Sequence, residues 1–224
     1  MAEEGATVVV ADLDVEGGEG TVALIEDVGG EGEFRELDVR DAEAVREAVD
    51  ETAETHGLDV VVNNAGVAHE STDVEDVTDE MRDLVIETNA LGVWNGCRAA
   101  IPHLKERGSG AIVNTSSVAG LTGLSGQAAY SLSKGGVLNF TRAVATEVGP
   151  YGIRANAVCP GLIETPLTAD SIEERDDAPG EREDIPLRRA GQPEDVAACI
   201  AFLASDDAAY VSGHGFVVDG GLLA

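Results

Sequence analysis

Short apolar runs recur along the chain, separated by longer segments in which apolar residues return every three or four positions. The runs are rich in β-branched residues, which is typical of strands buried on both faces of a parallel sheet. They predict six strands, at residues 7–11, 34–39, 59–62, 111–114, 154–158 and 216–218.

The longer segments predict helices at residues 21–27, 74–105 and 127–147, and further helices that begin after Asp41 and at Pro193. Asp41 is a good N-cap, and Pro193 suits a first helical turn. One apolar face follows Asp41, made of Ala44, Val45, Ala48, Val49 and Ala53. Alternation of strands and helices predicts an α/β fold: a Rossmann-like, doubly wound parallel sheet with right-handed crossovers in a three-layer αβα arrangement.

The length of 224 residues suits one α/β domain with a sizeable core, and no linker or composition shift marks a boundary. We therefore expect a single domain over residues 1–224. The polar segment at 163–189 follows the carboxyl end of a predicted strand, where open α/β sheets place lids. We expect a mobile substrate lid there, and a merely solvated charged face is the alternative.

The chain is strongly acidic, with 43 Asp and Glu against 14 Lys and Arg and a formal net charge of −29. A uniformly negative surface argues against nucleic acid and anionic membranes as partners. Self-repulsion of this size is tolerable where concentrated salt screens charges. We therefore expect a halophilic protein of a high-salt cytoplasm that unfolds in dilute buffer.

Cysteine and histidine usage gives no sign of a metal or a disulfide framework. The three cysteines are widely spaced without a CxxC pair, which favours a reducing compartment. None of the four histidines stands at zinc-ligand spacing, so we expect no metal. No signal-peptide pattern and no apolar run long enough for a membrane span is present.

The most informative stretch runs from Ile112 to Lys134, where an apolar strand leads through a Gly-containing loop into a helix. Tyr130 and Lys134 are four residues apart, so their side chains share a helix face. A neighbouring ammonium favours the phenolate and would lower the Tyr130 pKa toward use as a general acid/base. An isolated pair of this kind is usually structural, but Lys134 is one of only two lysines in the chain.

Ser117 lies thirteen residues before Tyr130, and the set Ser117, Tyr130 and Lys134 resembles the catalytic signature of the classical short-chain dehydrogenase/reductase family. The resemblance extends over essentially the whole chain. It includes the Asn-Asn-Ala-Gly motif at residues 63–66, Asn89 in a TNALG segment, Pro160-Gly161 with Ile163 and Thr165, and the ending at residues 218–221. Together these motifs are far more specific than any one of them.

The resemblance implies catalytic roles for Asn89, Ser117, Tyr130 and Lys134. In the family, the serine hydrogen-bonds the substrate carbonyl, the tyrosine exchanges a proton with it, the lysine supports the tyrosine and binds the nicotinamide ribose, and the asparagine holds a water. The thirteen-residue spacing selects Ser117 over Ser116. Gln127 precedes Tyr130 by one helical turn and is expected to contact substrate, although a polar helix start is the plainer explanation.

The resemblance also implies a nicotinamide cofactor. The expected contacts are Asp12, Asp38, Val39, Asn63, Ala65, Gly66, Tyr130, Lys134, Pro160, Gly161, Ile163 and Thr165. A carboxylate at Asp12 would accept hydrogen bonds from ribose hydroxyls and repel a 2′-phosphate, so NAD is favoured and NADP is less expected. A solvated acid at Asp12, a plain strand end at Asp38 and a simple turn at residues 63–66 remain the alternatives.

Residues 1–14 resemble the end of the family's first helix and its second strand, so the first strand and the Gly-rich phosphate loop are expected to be missing from this chain. Their loss would leave a slot between the strands at 7–12 and 59–63. A truncated gene model is the simplest hypothesis. The segment Gly18-Glu19-Gly20 formally fits a phosphate-loop pattern, but its acidic surroundings favour a turn.

The sequence therefore predicts an NAD(P)-dependent oxidoreductase acting on a secondary alcohol or ketone, such as a 3-oxoacyl thioester, a sugar or a small alcohol. The alternative is a non-catalytic scaffold or regulator of the same fold. An extended-branch epimerase or dehydratase would need a larger C-terminal substrate domain. By resemblance, we expect a small-molecule substrate and a homo-oligomer, a tetramer or dimer.

Overall fold

The computed structural model describes residues 1–169 and 184–224. Six strands are present in this part of the chain: β1 Thr7–Asp12, β2 Glu31–Glu36, β3 Val60–Asn63, β4 Gly110–Thr115, β5 Ile153–Pro160 and β6 Gly215–Val218. The helices are α1 Val15–Asp27, α2 Ala42–His56, α3 Asp79–Ile86, α4 Gly92–Arg107, α5 Ala119–Thr122, α6 Ala128–Val148 and α7 Pro193–Ala204.

The described strands form two parallel sheets. One has the order β1-β2, and the other has the order β3-β4-β5-β6. Within the described residues β1 and β3 are not paired with each other, so each has one edge without a strand partner, and the slot expected between them stays a prediction. Helix α2 packs against α4 and thereby joins the two parts.

Two apolar clusters cover opposite faces of the four-stranded sheet. Ile112 belongs to the cluster shared with α4 and α6, whereas its neighbour Val113 belongs to the cluster shared with α7. Successive residues of a strand point to opposite faces, so this division follows directly from the period of two. The predicted αβα layering and Rossmann-like α/β fold are confirmed.

The predicted turn at Gly18-Glu19-Gly20 is wrong, because α1 begins at Val15 and includes all three residues. The Asp14 side chain accepts a hydrogen bond from the Gly17 amide and caps the helix. A Cβ at Gly18 would lie 2.0 Å from the Phe34 ring, so this glycine permits close packing of α1 on β2. The segment is part of a helix and forms no phosphate loop.

Two other predictions need correction. The second strand ends at Glu36 instead of Val39, so Asp38 and Val39 follow the strand. The run at Thr7–Asp12 was predicted to be buried on both faces, but no residue of β1 is fully buried. The physical reason is that β1 pairs with β2 alone among the described strands.

The expected helix over 74–105 is divided into three parts. Thr78 caps α3, and the five residues Glu87–Leu91 form a π-helical turn between α3 and α4. Such π-helical turns occur frequently at functional sites. Asn89 lies within this turn.

The lid predicted at 163–189 is only partly described. Its first part contains a 3₁₀ turn at Pro166–Thr168, while residues 170–183 lie outside the described residues. Ile163 forms an isolated parallel bridge with Gly191, just before α7. None of the helices in 1–169 and 184–224 has the length and apolarity needed to cross a bilayer.

Candidate active site

The candidate site lies at the carboxyl edge of the four-stranded sheet. Asn63, Thr115 and Pro160 end three neighbouring strands, β3, β4 and β5. The carboxyl ends of parallel strands meet at one edge, which is where open α/β sheets bind ligands. Helix α6 begins nearby and brings Tyr130 and Lys134 to the same region.

Lys134 is buried, with 3% of its surface exposed. Its Nζ donates a hydrogen bond of 2.9 Å to the Thr115 carbonyl at the end of β4. The same Nζ lies 5.7 Å from the centroid of the Tyr130 ring, so the predicted pair is formed on one helix face. Burial disfavours the ammonium and lowers the Lys134 pKa to about 8.

The sequence-based expectation for the Tyr130 pKa is wrong in direction. Burial raises the pKa of Tyr130, and a hydrogen bond with the Ser117 hydroxyl only partly opposes this rise. The desolvation of the phenolate therefore outweighs the electrostatic support that Lys134 was expected to give. The raised pKa favours the protonated phenol.

The two neighbouring serines have different partners. Ser116 donates a 2.8 Å hydrogen bond to the carbonyl of Lys134, so its hydroxyl fastens β4 to α6. Ser117 instead accepts from the Ala119 amide at 3.1 Å and interacts with Tyr130. Of the two hydroxyls, Ser117 is the one placed beside the phenol.

Asn89 is fully buried and joins three segments. Its Oδ1 accepts from the Val67 amide and its Nδ2 donates to the Val67 carbonyl, both at 2.8 Å. Nδ2 also donates to Ser133 Oγ at 3.1 Å, and Ser133 donates to the Tyr130 carbonyl at 2.7 Å. Sequence reasoning missed Ser133, although a polar residue three positions after Tyr130 on the helix was a visible signal.

Gly66 lies directly against this group. A Cβ at Gly66 would be 3.2 Å from Lys134 Nζ and 3.3 Å from Asn89 Oδ1. A side chain at this position would press on the ammonium and on Asn89, so glycine lets the backbone come close to Lys134; we call this position the Gly66 cradle. A buried ammonium beside a backbone without a side chain has the chemistry to hydrogen-bond ribose hydroxyls, so the residues present fit the cofactor that the sequence predicts.

Asn63, Asn64 and Ala65 lead into Gly66 from the end of β3. Asn63 Nδ2 donates to Asn114 Oδ1 at 2.8 Å, and Asn64 Oδ1 accepts from the Thr115 hydroxyl at 3.0 Å. Ala65 is exposed at the same edge. The asparagines therefore fix the turn against β4.

A buried polar network beneath this turn was not predicted. Asn114 Nδ2 donates to Thr141 Oγ1 at 2.9 Å, and Thr141 donates to the Val137 carbonyl within α6. The Cys97 thiol accepts a hydrogen bond from Asn63 Nδ2 and donates one to Asn114 Oδ1. Burial raises the Cys97 pKa to about 12. A Cβ at Gly96 would lie 1.9 Å from Asn63 Oδ1, which explains the glycine at that position.

The lid residues named from sequence follow β5. The Pro160 carbonyl accepts from the Val118 amide at 3.0 Å, and the Gly161 amide donates to the Val218 carbonyl at 2.9 Å. Ile163 is buried, and the Thr165 amide donates to Thr168 Oγ1 at 3.2 Å. All four expected residues stand at the carboxyl edge of the sheet.

Three further predicted residues lie at the ends of the strands of the two-stranded sheet or just after them. Asp12 is exposed at the end of β1, where its Oδ1 accepts from the Asp14 amide at 3.0 Å. The Asp38 carboxylate is bound by the Arg40 guanidinium, which lowers the Asp38 pKa. The Val39 carbonyl accepts from Asn95 Nδ2 at 2.9 Å, which links this segment to α4.

Gln127 is the N-cap residue of α6 and lies one turn before Tyr130. Its Nε2 donates to the His69 carbonyl in the loop after Val67. No group of three or more His, Cys, Asp or Glu side chains suited to a metal occurs in the part of the chain that the structure describes.

This chain is similar in sequence and fold to known proteins. A family model described as enoyl-(acyl carrier protein) reductase matches residues 1–223. The match covers nearly the whole chain, including every residue of the site described above. The chain belongs to the short-chain dehydrogenase/reductase family of oxidoreductases.

Individual relatives extend this result. The 3-oxoacyl-[acyl-carrier-protein] reductase FabG of Thermotoga maritima is 40% identical over 224 residues, which cover 100% of this chain and 90% of that protein. Cyclopentanol dehydrogenase of Comamonas sp. is 41% identical over 225 residues, with the same coverages.

Solved structures show the same fold. Levodione reductase superposes with a TM-score of 0.92 at 36% identity, over 98% of this chain and 89% of that one. A gluconate 5-dehydrogenase from Burkholderia cenocepacia, in complex with NADP and tartrate, superposes with a TM-score of 0.90 at 30% identity. The superposition covers 99% of this chain and 87% of that one.

Proposed function

We propose that this protein transfers a hydride between a nicotinamide cofactor and a secondary alcohol or ketone. The observation that supports this most is the convergence of Ser117, Tyr130, Lys134 and Asn89 beside the Gly66 cradle. A scaffold without catalysis is less favoured, because Lys134 is buried with no carboxylate partner among residues 1–169 and 184–224, and a scaffold has no need of such a lysine. The substrate class remains broad: a 3-oxoacyl thioester, a sugar or a small alcohol.

In the direction of ketone reduction, the Ser117 hydroxyl donates a hydrogen bond to the substrate oxygen and Tyr130 gives that oxygen its proton. The raised pKa keeps Tyr130 protonated at neutral pH, so the proton is available. Lys134 holds a positive charge below about pH 8 and stabilises the phenolate left behind. Asn89 holds the loop at Val67 in place and, in our proposal, the water that returns the proton.

The cofactor would lie across the carboxyl edge, against Gly66 and Ala65, with Asn63 behind them and Lys134 and Tyr130 beside the nicotinamide ribose. Pro160, Gly161, Ile163 and Thr165 would cover its nicotinamide end, while Asp38 and Val39 would lie at the adenine. When bound, it supplies the hydride to the carbonyl carbon. The protein contributes orientation and the proton path.

We propose NAD in preference to NADP on the basis of Asp12. Its carboxylate is exposed at the end of β1, and it would accept from ribose hydroxyls and repel a 2′-phosphate. The related gluconate 5-dehydrogenase holds NADP, so the test must compare both cofactors. We expect NADH to bind at least 10-fold more tightly than NADPH, and Asp12→Asn to reduce this preference.

We also propose a single domain, with the lid at 163–189, that assembles as a tetramer or dimer in a salt-rich cytoplasm. Exposed apolar side chains on α3, the π-helical turn, α4 and α6 support assembly between copies: Leu84, Leu91, Trp94 and Leu132. Such a set is expected at an interface and unfavourable in water. Sedimentation of the wild type and of Leu132→Glu would test it, with a smaller species expected for the variant.

The direct test of the proposed reaction is ketone-dependent loss of NADH absorbance in multimolar KCl. Because β1 and β3 each have a free edge, the 224-residue chain should be assayed beside a version extended by its upstream coding sequence. We expect turnover of at least one ketone from the proposed classes in one of the two preparations. Cofactor binding without any turnover across the panel would favour the scaffold alternative.

A further inference from the structure

Two buried polar atoms near Tyr130 have no hydrogen-bond partner. Within the described residues only three buried side-chain nitrogen or oxygen atoms are unpaired, and two of them are His69 Nε2 and Gln127 Oε1. Buried polar groups are almost always paired, since an unpaired one has lost its hydrogen bonds to water without replacing them. Two such atoms on residues that contact each other therefore call for an explanation.

Both residues are held at the start of α6, the helix that carries Tyr130. Gln127 lies one helical turn before Tyr130, and its Nε2 donates to the His69 carbonyl. The loop that contains His69 is held at one end by Asn89, through Val67, and at the other by a 2.9 Å hydrogen bond from the Thr72 amide to the Gly126 carbonyl. The loop and the start of α6 thus form one wall beside Tyr130.

The hydrogen bonds that His69 and Gln127 already make determine whether their unpaired atoms act as donors or as acceptors. His69 Nδ1 lies 2.7 Å from the Glu70 carbonyl, which can only accept, so Nδ1 carries the proton. In the neutral imidazole, Nε2 is then an acceptor. Gln127 uses its amide nitrogen on the His69 carbonyl, so Oε1 is an acceptor too. A ligand that satisfies both atoms must bring hydrogen-bond donors.

We infer that His69 and Gln127 form a hydroxyl-binding subsite, and that the preferred substrate is a ketone with a hydroxyl group on the carbon next to the carbonyl. This inference rests on the proposed function, because it places the carbonyl at Ser117 and Tyr130. Both atoms are shielded from water in this conformation, so binding includes a local rearrangement of the two side chains. The hydrogen bonds that His69 Nε2 and Gln127 Oε1 form with the ligand offset the cost of this rearrangement.

A substrate without a hydroxyl donor next to its carbonyl forms no hydrogen bonds with His69 and Gln127. A simple cyclic ketone, or the carbonyl region of a 3-oxoacyl thioester, leaves His69 Nε2 and Gln127 Oε1 unpaired in the complex. Sites built to hydrogen-bond a hydroxyl discriminate strongly against analogues that lack it, for this reason. The subsite therefore narrows the proposed substrates to polyol-like hydroxy ketones and the corresponding diols.

The test compares 2-hydroxycyclohexanone with cyclohexanone, two ketones of the same ring size. For the wild type we expect kcat/KM to be at least 10-fold higher for the hydroxy ketone. Gln127→Met and His69→Leu each remove one hydrogen-bond acceptor. Each should lower the ratio of the two kcat/KM values at least 10-fold by raising the KM of the hydroxy ketone. Glu70→Gln, an exposed position in the same loop, is the matched control and should leave the ratio unchanged.

A ratio near one in the wild type, or an unchanged ratio in both variants, would overturn the subsite while leaving the oxidoreductase function intact. A second readout needs no turnover: thermal protection by 1,2-cyclohexanediol compared with cyclohexanol. Greater thermal protection by the diol than by cyclohexanol, lost in Gln127→Met, would support the subsite. If neither ketone were reduced as well, only the proposed reaction would be contradicted. Equal protection by both alcohols would contradict the subsite.

Discussion

The two central strands of the four-stranded sheet, β4 and β5, differ sharply in burial from the two-stranded sheet. Six of the eight residues of β5 and four of the six of β4 are fully buried, whereas no residue of β1 or β2 is. The buried sheet supports the residues proposed for proton transfer, and the exposed sheet supports Asp12 and Asp38. The proposed chemistry therefore stands beside the most deeply buried strands, and the proposed adenosine contacts stand on the sheet with less packing around it. We call the four-stranded sheet with its helices the buried half, and the two-stranded sheet with α1 the exposed half.

The largest effect is expected at Tyr130, on the buried half. Tyr130→Phe removes only the hydroxyl, so we expect kcat to fall about 10²–10⁴-fold while the fold is kept. Far-UV circular dichroism and the thermal midpoint should match the wild type. Tyr151→Phe is the control, because this exposed ring lies over Lys105 far from the site and should leave kcat unchanged. Full activity in Tyr130→Phe would remove Tyr130 from the mechanism.

Lys134 gives the buried half a distinctive pH dependence. Its pKa is about 8 in the folded protein and near 10.5 when exposed, so between these values the unfolded chain binds more protons. The Lys134 contribution to stability should therefore rise with pH above about 8, by up to about 3 kcal/mol at full deprotonation. Above about pH 9 the raised pKa values of Cys97, Cys159 and Cys199 act in the opposite direction, and above about pH 10 that of Tyr130 does so too. The net rise in stability is therefore expected between about pH 8 and 9.

Denaturant unfolding at several pH values in constant KCl would measure this dependence. Lys134→Met lacks the buried ammonium and should show a flatter profile over the same range. An equally steep rise in Lys134→Met would assign the effect to other groups.

Gly18 tests the packing of the exposed half. In Gly18→Ala the new Cβ would meet the Phe34 ring at 2.0 Å, which forces α1 away from β2. We expect a loss of about 1–3 kcal/mol in the free energy of unfolding, typical of overpacking. Hydrogen exchange should accelerate in β1 and β2 and stay slow in β4 and β5. Uniform acceleration in both sheets would show that the halves unfold together.

Gly20→Ala is the matched control for Gly18→Ala, and its expected effect on stability is the smallest. Its Cβ would meet nothing within 4 Å, and it lies in the same helix as Gly18. Gly20→Ala should therefore stabilise the protein by about 1 kcal/mol through helix propensity alone. Destabilisation measured by the same denaturant method would contradict the extent of α1.

The sequence predicted most of the fold because strand and helix periodicities differ clearly along this chain. It failed where tertiary contacts decide the outcome. Gly18 is required by the close approach of Phe34, and Asn89 in the π-helical turn hydrogen-bonds to Val67 and Ser133. The residues of the site were named through motifs, but the direction of the Tyr130 pKa depends on burial, which no spacing reveals. His69 was missed because its free nitrogen is visible only in three dimensions.

The central claim is that a nicotinamide cofactor lies over Lys134 in the cradle at Gly66. A fluorescence titration with NADH in multimolar KCl tests it most directly, on the 224-residue chain and the upstream-extended version. Gly66→Val fills the cradle and should weaken binding at least 10-fold, whereas Gly20→Ala should bind as the wild type does. Equal affinity of Gly66→Val and wild type, or no binding in either version, would contradict the account.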